Sequence, residues 1–146
     1  MIRLLEEPLN AAAAHSAFLV EHGHHGAVAA FTGVVRSEQG GVDHLYLDWY
    51  PGMTEASIRD IAEAAQGRFG VAAVCVLHRC GRVNAGEPVV FVAAASAHRR
   101  AAFEAVDYMM DRLKSEAALW KREVGEGIDR WVEPRADDAD SLKRWS

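Results

Sequence analysis

VVFVAAASAHRRAAFEAVDYMMDRLKSEAALWKREVGEGIDRWVE, residues Val89–Glu133, holds three kinds of pattern in 45 residues. The β-branched opening, Val89 to Ser96, predicts a strand. A helix should begin near His98 to Ala101, because Phe103, Val106, Met110, Leu113 and Ala117 recur at helical spacing. Leu119–Val124 and Arg130–Glu133 then read as two arms of a hairpin around Gly125-Glu126-Gly127. Strand, helix and hairpin in succession do not make a repeating βαβ unit. They point to the α+β class, with mixed or antiparallel sheets and about three helices.

The chain before this stretch adds the other elements. Ile2 to Glu6 forms a short strand. Asn10 is a suitable N-cap for a helix from Ala11 to about Glu21, ending before Gly23. Val28 to Arg36 reads as a strand, and the Gly40-Gly41 pair marks a turn. Leu45, Leu47 and Trp49 alternate with polar partners in a half-buried strand that Pro51-Gly52 ends. Thr54 can cap a second helix with Ile58, Ile61, Ala62 and Ala65 on one face. Val71 to Arg79 is a further strand, joined to Val89–Ser96 by a loop around Gly81 to Gly86. The tail from about residue 135 is charged and expected to be loosely held, with Trp145 as an anchor for its end.

A chain of 146 residues, 50% hydrophobic and 25% charged, fits a single soluble domain spanning 1–146. Its two cysteines, Cys75 and Cys80, match no CxxC or zinc pattern, and a disulfide is not expected. No stretch approaches the ~20 apolar residues of a membrane helix, and the N-terminus lacks signal-peptide character. A cytoplasmic protein is expected, with no membrane partner.

Charge narrows the function. The chain carries a formal −5, yet Arg99, Arg100, Arg112, Lys114, Lys121 and Arg122 face only Glu104, Asp107, Asp111 and Glu116 in one segment. A local cationic site in an acidic chain suits a small anion, not nucleic acid, which needs a basic face. His98-Arg99-Arg100 opens a helix, where free backbone N–H groups favour an anion and cations do not help the helix. A solvated basic corner pairing with Glu104 or Asp107 is the alternative. Lys114 and Lys121 are seven residues apart. An unbroken helix would put them ~20° apart on one face; a strand beginning near Leu119 would bring Lys121 back from a neighbouring element. Two like charges ~6 Å apart at an effective dielectric of ~20 repel by roughly 3 kcal/mol, or about 2 pKa units. Such a shift brings an amine towards acid/base chemistry. Arg36 ends a strand and can fork onto phosphate or carboxylate. His22, His24 and His25 read as solvated loop residues, Met109-Met110 as core filler, and no metal site is expected. No GxGxxG, P-loop, HExxH or GxSxG motif occurs.

FTGVVR (Phe31–Arg36), YPGMTE (Tyr50–Glu55), HRCG (His78–Gly81), GE (Gly86-Glu87), SAHR (Ser96–Arg99), FEA (Phe103–Ala105), MDRLK (Met110–Lys114), WKRE (Trp120–Glu123) and DRWVE (Asp129–Glu133) come in this order. Together they resemble the large, catalytic subunit of molybdopterin synthase. Trp49, Cys80 and Arg100 depart from the family pattern without removing a presumed catalytic group.

The resemblance implies an α/β-hammerhead-type fold and a homodimer within a heterotetramer. It implies a small ubiquitin-like partner at each end, whose C-terminal Gly-Gly thiocarboxylate enters the pocket. The implied reaction inserts two dithiolene sulfurs into cyclic pyranopterin monophosphate to give molybdopterin, with no cofactor or metal. In that frame Arg36, His98 and Arg99 are candidates for phosphate and pterin binding, with His98 also placed to move a proton. Lys114 is expected to polarise the partner's terminal carbonyl, and Lys121 to act as general acid/base. Phe31 and Met110 would line the tunnel. The rivals are a non-catalytic module binding the C-terminal tail of a ubiquitin-like partner, and a different phosphate-handling enzyme.

Overall fold

The computed structural model describes residues 1–36, 42–132 and 135–146. The expected turn at Gly40-Gly41 and the ends of the hairpin and tail readings, Glu133 and Pro134, lie outside them.

Two four-stranded sheets form the frame. In chain order the elements are β1 (Ile2–Leu5), α1 (Ala11–His22), a short 3-10 turn, β2 (Ala27–Val34), β3 (Val42–Trp49), α2 (Met53–Phe69), β4 (Ala73–Arg79), β5 (Gly81–Asn84), β6 (Pro88–Ser96), α3 (Arg99–Glu116), β7 (Leu119–Gly125), β8 (Ile128–Val132) and α4 (Ala136–Lys143). The first sheet runs β1-β4-β6-β2; its β1–β4 pair is parallel and the others antiparallel. The second runs β5-β3-β7-β8, antiparallel throughout. The α+β class with mixed and antiparallel sheets is what the sequence predicts.

Period-2 alternation divides the first sheet between two cores. Val74, Val76, Val90, Val92 and Ala94 pack with α2 and α3 on one face. Ala73, Cys75, Leu77, Phe91, Ala93 and Ala95 meet α1 residue Phe18 on the other. Small residues at Ala94, Ala102 and Ala105, all 1% exposed or less, keep α3 close to the sheet. A third, smaller core of Val35, Leu47 and Val83 lies beside the second sheet.

Four readings of the sequence need correction. Asn10 does cap α1, accepting from Ala13 N at 3.0 Å, but Thr54 does not cap α2. Gly52, at φ 86°, is the cap residue, and its N–H donates to Glu55 Oε1. Thr54 is fully buried in the first turn. Its Oγ1 accepts from Tyr50 N at 2.9 Å and donates to Ala118 O at 2.6 Å. Residues Gly81–Asn84 form no simple loop but strand β5, because Val83 is needed under the second sheet and its backbone pairs with β3. Among the described residues the α-helices number four, not about three. The tail contains α4, docked on α3 through Arg144 to Asp107 and Asp111. Trp145 seals it, donating Nε1 to Asp111 Oδ2 at 2.7 Å and meeting Phe69 and Tyr108 edge to face.

Removing the Thr54 hydroxyl strands two backbone groups in a water-poor place. Thr54→Val, nearly isosteric, is expected to lower stability by about 2 kcal/mol. Urea unfolding of the two proteins side by side measures it.

Candidate active site

Helix α3 stops at Glu116, and Ala117 turns extended at ψ 136°. The chain crosses to β7 at Leu119, so Lys121 returns from a strand and does not continue the helix. The crossing is held from α2. Thr54 Oγ1 donates to the Ala118 carbonyl, and Ala118 N donates to Ser57 Oγ at 3.1 Å. Strand alternation then places Leu119 and Lys121 on one face of β7.

Lys114 and Lys121 line one enclosed cavity of about 70 Å³. Its walls are Leu45, Val89, Val90, Met110, Leu113, Ala117 and Leu119, with His78 as the remaining polar residue. Burial first, and then Lys114 within hydrogen-bonding reach, together hold the Lys121 amine down to about 8, while Asp138 of α4 opposes both. The like charge of Lys114 contributes, but the apolar walls matter more. His78 is held down to about 4, chiefly by burial, although its Nδ1 contact with the Arg79 carbonyl opposes the shift.

Lys114 stands where three spaces meet. It also lines a groove of about 450 Å³ with Phe31, Phe103, Met110 and Asp138. A third, wider groove of about 970 Å³ passes Met53, Trp120, Trp131 and Arg135 to both lysines. Tyr50 packs edge to face on Trp120 at 5.0 Å. One amine therefore reaches a narrow dead end and two open approaches.

Of the residues singled out from sequence, Lys114, Lys121, Met110 and Phe31 come together here. Met110 packs against the core beside Met109, which is 0% exposed, and also lines this cavity. His98 and Arg99 do not join them within one chain. They line a separate depression with Gly26, Ala27, Ala97 and Arg100 at the start of α3, 15 residues or about 22 Å along the helix from Lys114. Arg36 lies two residues beyond β2, exposed, and lines none of these spaces. Among the described residues no ion pair joins Arg99 or Arg100 to Glu104 or Asp107, and Arg144 holds the Asp107 carboxylate at 3.1 Å. The His24 and His25 rings lie 4.1 Å apart, tilted by 37°, and no three potential metal ligands cluster among the described residues. Nor, among those residues, is any helix long and apolar enough to cross a membrane. Sequence reasoning missed His78, Trp131 and Asp138. His78 lay inside the quoted HRCG string, and its place on the inward face of β4 was the available signal.

Comparison with known proteins gives this geometry a context. Residues 4–116 match the family described as MoaE protein. The molybdopterin synthase catalytic subunit of Caulobacter vibrioides is 46% identical over 145 residues, covering 99% of this chain and 97% of that protein. The solved molybdopterin biosynthesis MoaE protein of Burkholderia ambifaria superposes with a TM-score of 0.84 at 36% identity, over 99% and 97% of the two chains. A Helicobacter pylori complex of subunits 1 and 2 of molybdopterin-converting factor shares the fold, with a TM-score of 0.78 at 20% identity over 91% and 90%.

A lysine pKa of about 8 in the fold against 10.5 outside it has a stability consequence. The unfolded chain binds more protons between those values, so the penalty is complete below about 8 and is relieved as pH rises through the window. Lys121→Met should therefore be more stable than the parent at pH 7 by about 1–3 kcal/mol, with the gain shrinking towards pH 10.5. Urea unfolding at pH 7 and pH 10 measures the difference.

Proposed function

The chain belongs to the MoaE protein family, and we propose how its geometry performs the work of a molybdopterin synthase catalytic subunit, a sulfurtransferase of molybdenum cofactor biosynthesis. One observation carries the proposal: an amine lowered to about 8 faces a second lysine inside an apolar-walled cavity that opens on two grooves. An amine with that pKa is partly neutral near pH 7.5 and can take a proton and return it. A tail-binding module would need cations and donors, but not a lowered amine.

The sizes divide the tasks. A cavity of about 70 Å³ is too small for a fused pterin, but admits the end of an extended chain without side chains. The partner's C-terminal Gly-Gly is such an end. The Helicobacter complex contains two subunits, and we assign this chain a small ubiquitin-like partner whose tail runs past Met53, Trp120 and Trp131. Its thiocarboxylate then ends at Lys114. The Lys114 ammonium polarises the carbonyl and stabilises the oxyanion that forms when water adds to the acyl carbon; its collapse breaks the C–S bond, leaving the sulfur on the pterin and a carboxylate on the partner's tail. Lys121 moves the proton. Cyclic pyranopterin monophosphate occupies the groove beside Phe31 and Met110, and the cytoplasm is the assigned compartment.

Among the described residues of one chain this groove offers the phosphate a single cation, Lys114, beside the carboxylates of Asp107, Asp111 and Asp138. Arg36, His98 and Arg99 are assigned to the phosphate, with Arg99 offering bidentate geometry. A homodimer resolves the 22 Å separation along α3: a second copy brings its own His98 and Arg99 to the first copy's lysines, and residues 1–146 act as one domain.

Lys114→Ala and Lys121→Ala are each expected to lower single-turnover product formation by about 10²-fold or more; full turnover in both would end the catalytic assignment. Mixing inactive Lys114→Ala and Arg99→Ala chains tests the shared site. If the two residues act across a two-fold interface, mixed dimers hold one intact site and activity returns to about one quarter of the parent's. No recovery would place both residues in one chain's site.

A further inference from the structure

Strand β4 sends alternate residues towards α2 and α3. Val74 and Val76 do so as apolar core residues, and the next position in that series is His78, where another aliphatic residue would continue the pattern. The imidazole is 9% exposed, and its Nδ1 lies 2.7 Å from the Arg79 carbonyl. A carbonyl only accepts, so Nδ1 carries the proton and Nε2 is left as an acceptor. Nε2 takes no hydrogen bond from the described residues, and the ring lines the enclosed cavity with Lys114 and Lys121.

The charged groups that face this ring are Lys121 from β7 and Lys114 from α3. Its sheet neighbours, Leu4 of β1 and Val90 of β6, bring none. Arg79 turns its guanidinium away to Glu87 and to the carbonyls of Glu6 and Arg82. Asp138 of α4 acts on Lys121 from outside the cavity, and no carboxylate is among the described lining residues. Two amines within reach of each other share a hydrogen bond only when one is neutral. The remaining ammonium then needs a further acceptor within apolar walls.

We propose that His78 is a positioning residue for the lysine pair, a fixed neutral acceptor whose Nε2, unbonded among the described residues, is placed to receive an N–H of the shared ammonium and so leave the neutral amine's lone pair facing the ligand space. A carboxylate at that place would draw a proton onto both amines and remove the base. An aliphatic residue would leave the ammonium without a partner and push its proton off. A neutral acceptor allows one proton on two amines, the state that acid/base work requires. The proposal deepens the assignment of the lysine cavity as the working site, but it is testable with no substrate present.

The test is an NMR titration of the full chain labelled at lysine ¹³Cε. Only Lys114, Lys121 and Lys143 contribute signals, and single replacements assign them. His78→Asn keeps an amide N–H for the Arg79 carbonyl but has no acceptor at the distal position. His78→Gln carries an amide oxygen out to that position. In the Asn variant the lower of the two cavity-lysine titrations should fall by about one unit, and the pH profile of single-turnover product formation should move with it. In the Gln variant both should stay within a few tenths of a unit of the parent. An unmoved titration in a folded Asn variant overturns the proposal. Equal shifts in Asn and Gln also overturn it, since packing alone would then explain the effect. If the Asn variant does not fold, His78→Met, which fills the space without the acceptor, is read against Gln by the same criteria. A titration that behaves as expected in a protein without sulfur-transfer activity would keep the His78 role and remove the functional reading instead.

Discussion

The Thr54 hydroxyl takes a backbone N–H from Tyr50 and gives its own proton to the carbonyl of Ala118, and where Lys121 stands depends on those two bonds. Residues 117–118 are the whole connection between α3 and β7. A helix of 18 residues could end in many directions; this one is turned back within two residues because α2 grips the crossing at both Thr54 and Ser57. The grip in turn depends on the placement of α2, whose Ile58, Ile61 and Ala65 are buried against the first sheet and α3. Core packing thus fixes a hydrogen-bond clamp, and the clamp sets the distance between two amines.

That arrangement carries a cost in folding free energy. An ammonium among Leu45, Leu113 and Leu119 loses hydration that Lys114 does not return. The fold tolerates this because the two cores on either face of the β1-β4-β6-β2 sheet bury a large apolar area, and each fully buried Val or Leu contributes about 1.5–3 kcal/mol. Helix α4 adds a smaller support. Arg144 and Trp145 fasten it to α3 through Asp107 and Asp111, which holds Asp138 near the lysines without placing a carboxylate inside their cavity.

Much of the frame was legible because it rests on local rules. Asn10 before an alanine run, the apolar spacing from Phe103 to Leu113, and Gly127 in a hairpin turn each fix an element without help from distant residues. The errors fall where distant contacts decide. Thr54 looks like a cap by type, but tertiary partners at Tyr50 and Ala118 claim its hydroxyl. Val83 sits between glycines, and only the needs of the second sheet make it a strand. In the tail, the acidic run Asp137, Asp138 and Asp140 suggests a solvated segment, whereas the docking contacts of Arg144 and Trp145 lie more than thirty positions away in sequence. At the site, the seven-residue lysine spacing was visible. The apolar walls that lower Lys121 were not, because they depend on register between strands; His78 was missed although the alternation of β4 puts it on the inward face. Spacing in the segment likewise joined His98 and Arg99 to the lysines, although α3 sets them at its opposite ends.

A lysine that works as a base because it is buried beside another must leave its titration in the rate. The most direct measurement is the pH dependence of single-turnover dithiolene formation, using this protein, a thiocarboxylated small subunit and cyclic pyranopterin monophosphate. The account predicts a rate that rises through an apparent pKa near 8, the value to which Lys121 is lowered, with that limb lost in Lys121→Arg. A rate that is flat from pH 7 to 9, or an unchanged limb in Lys121→Arg, would contradict it.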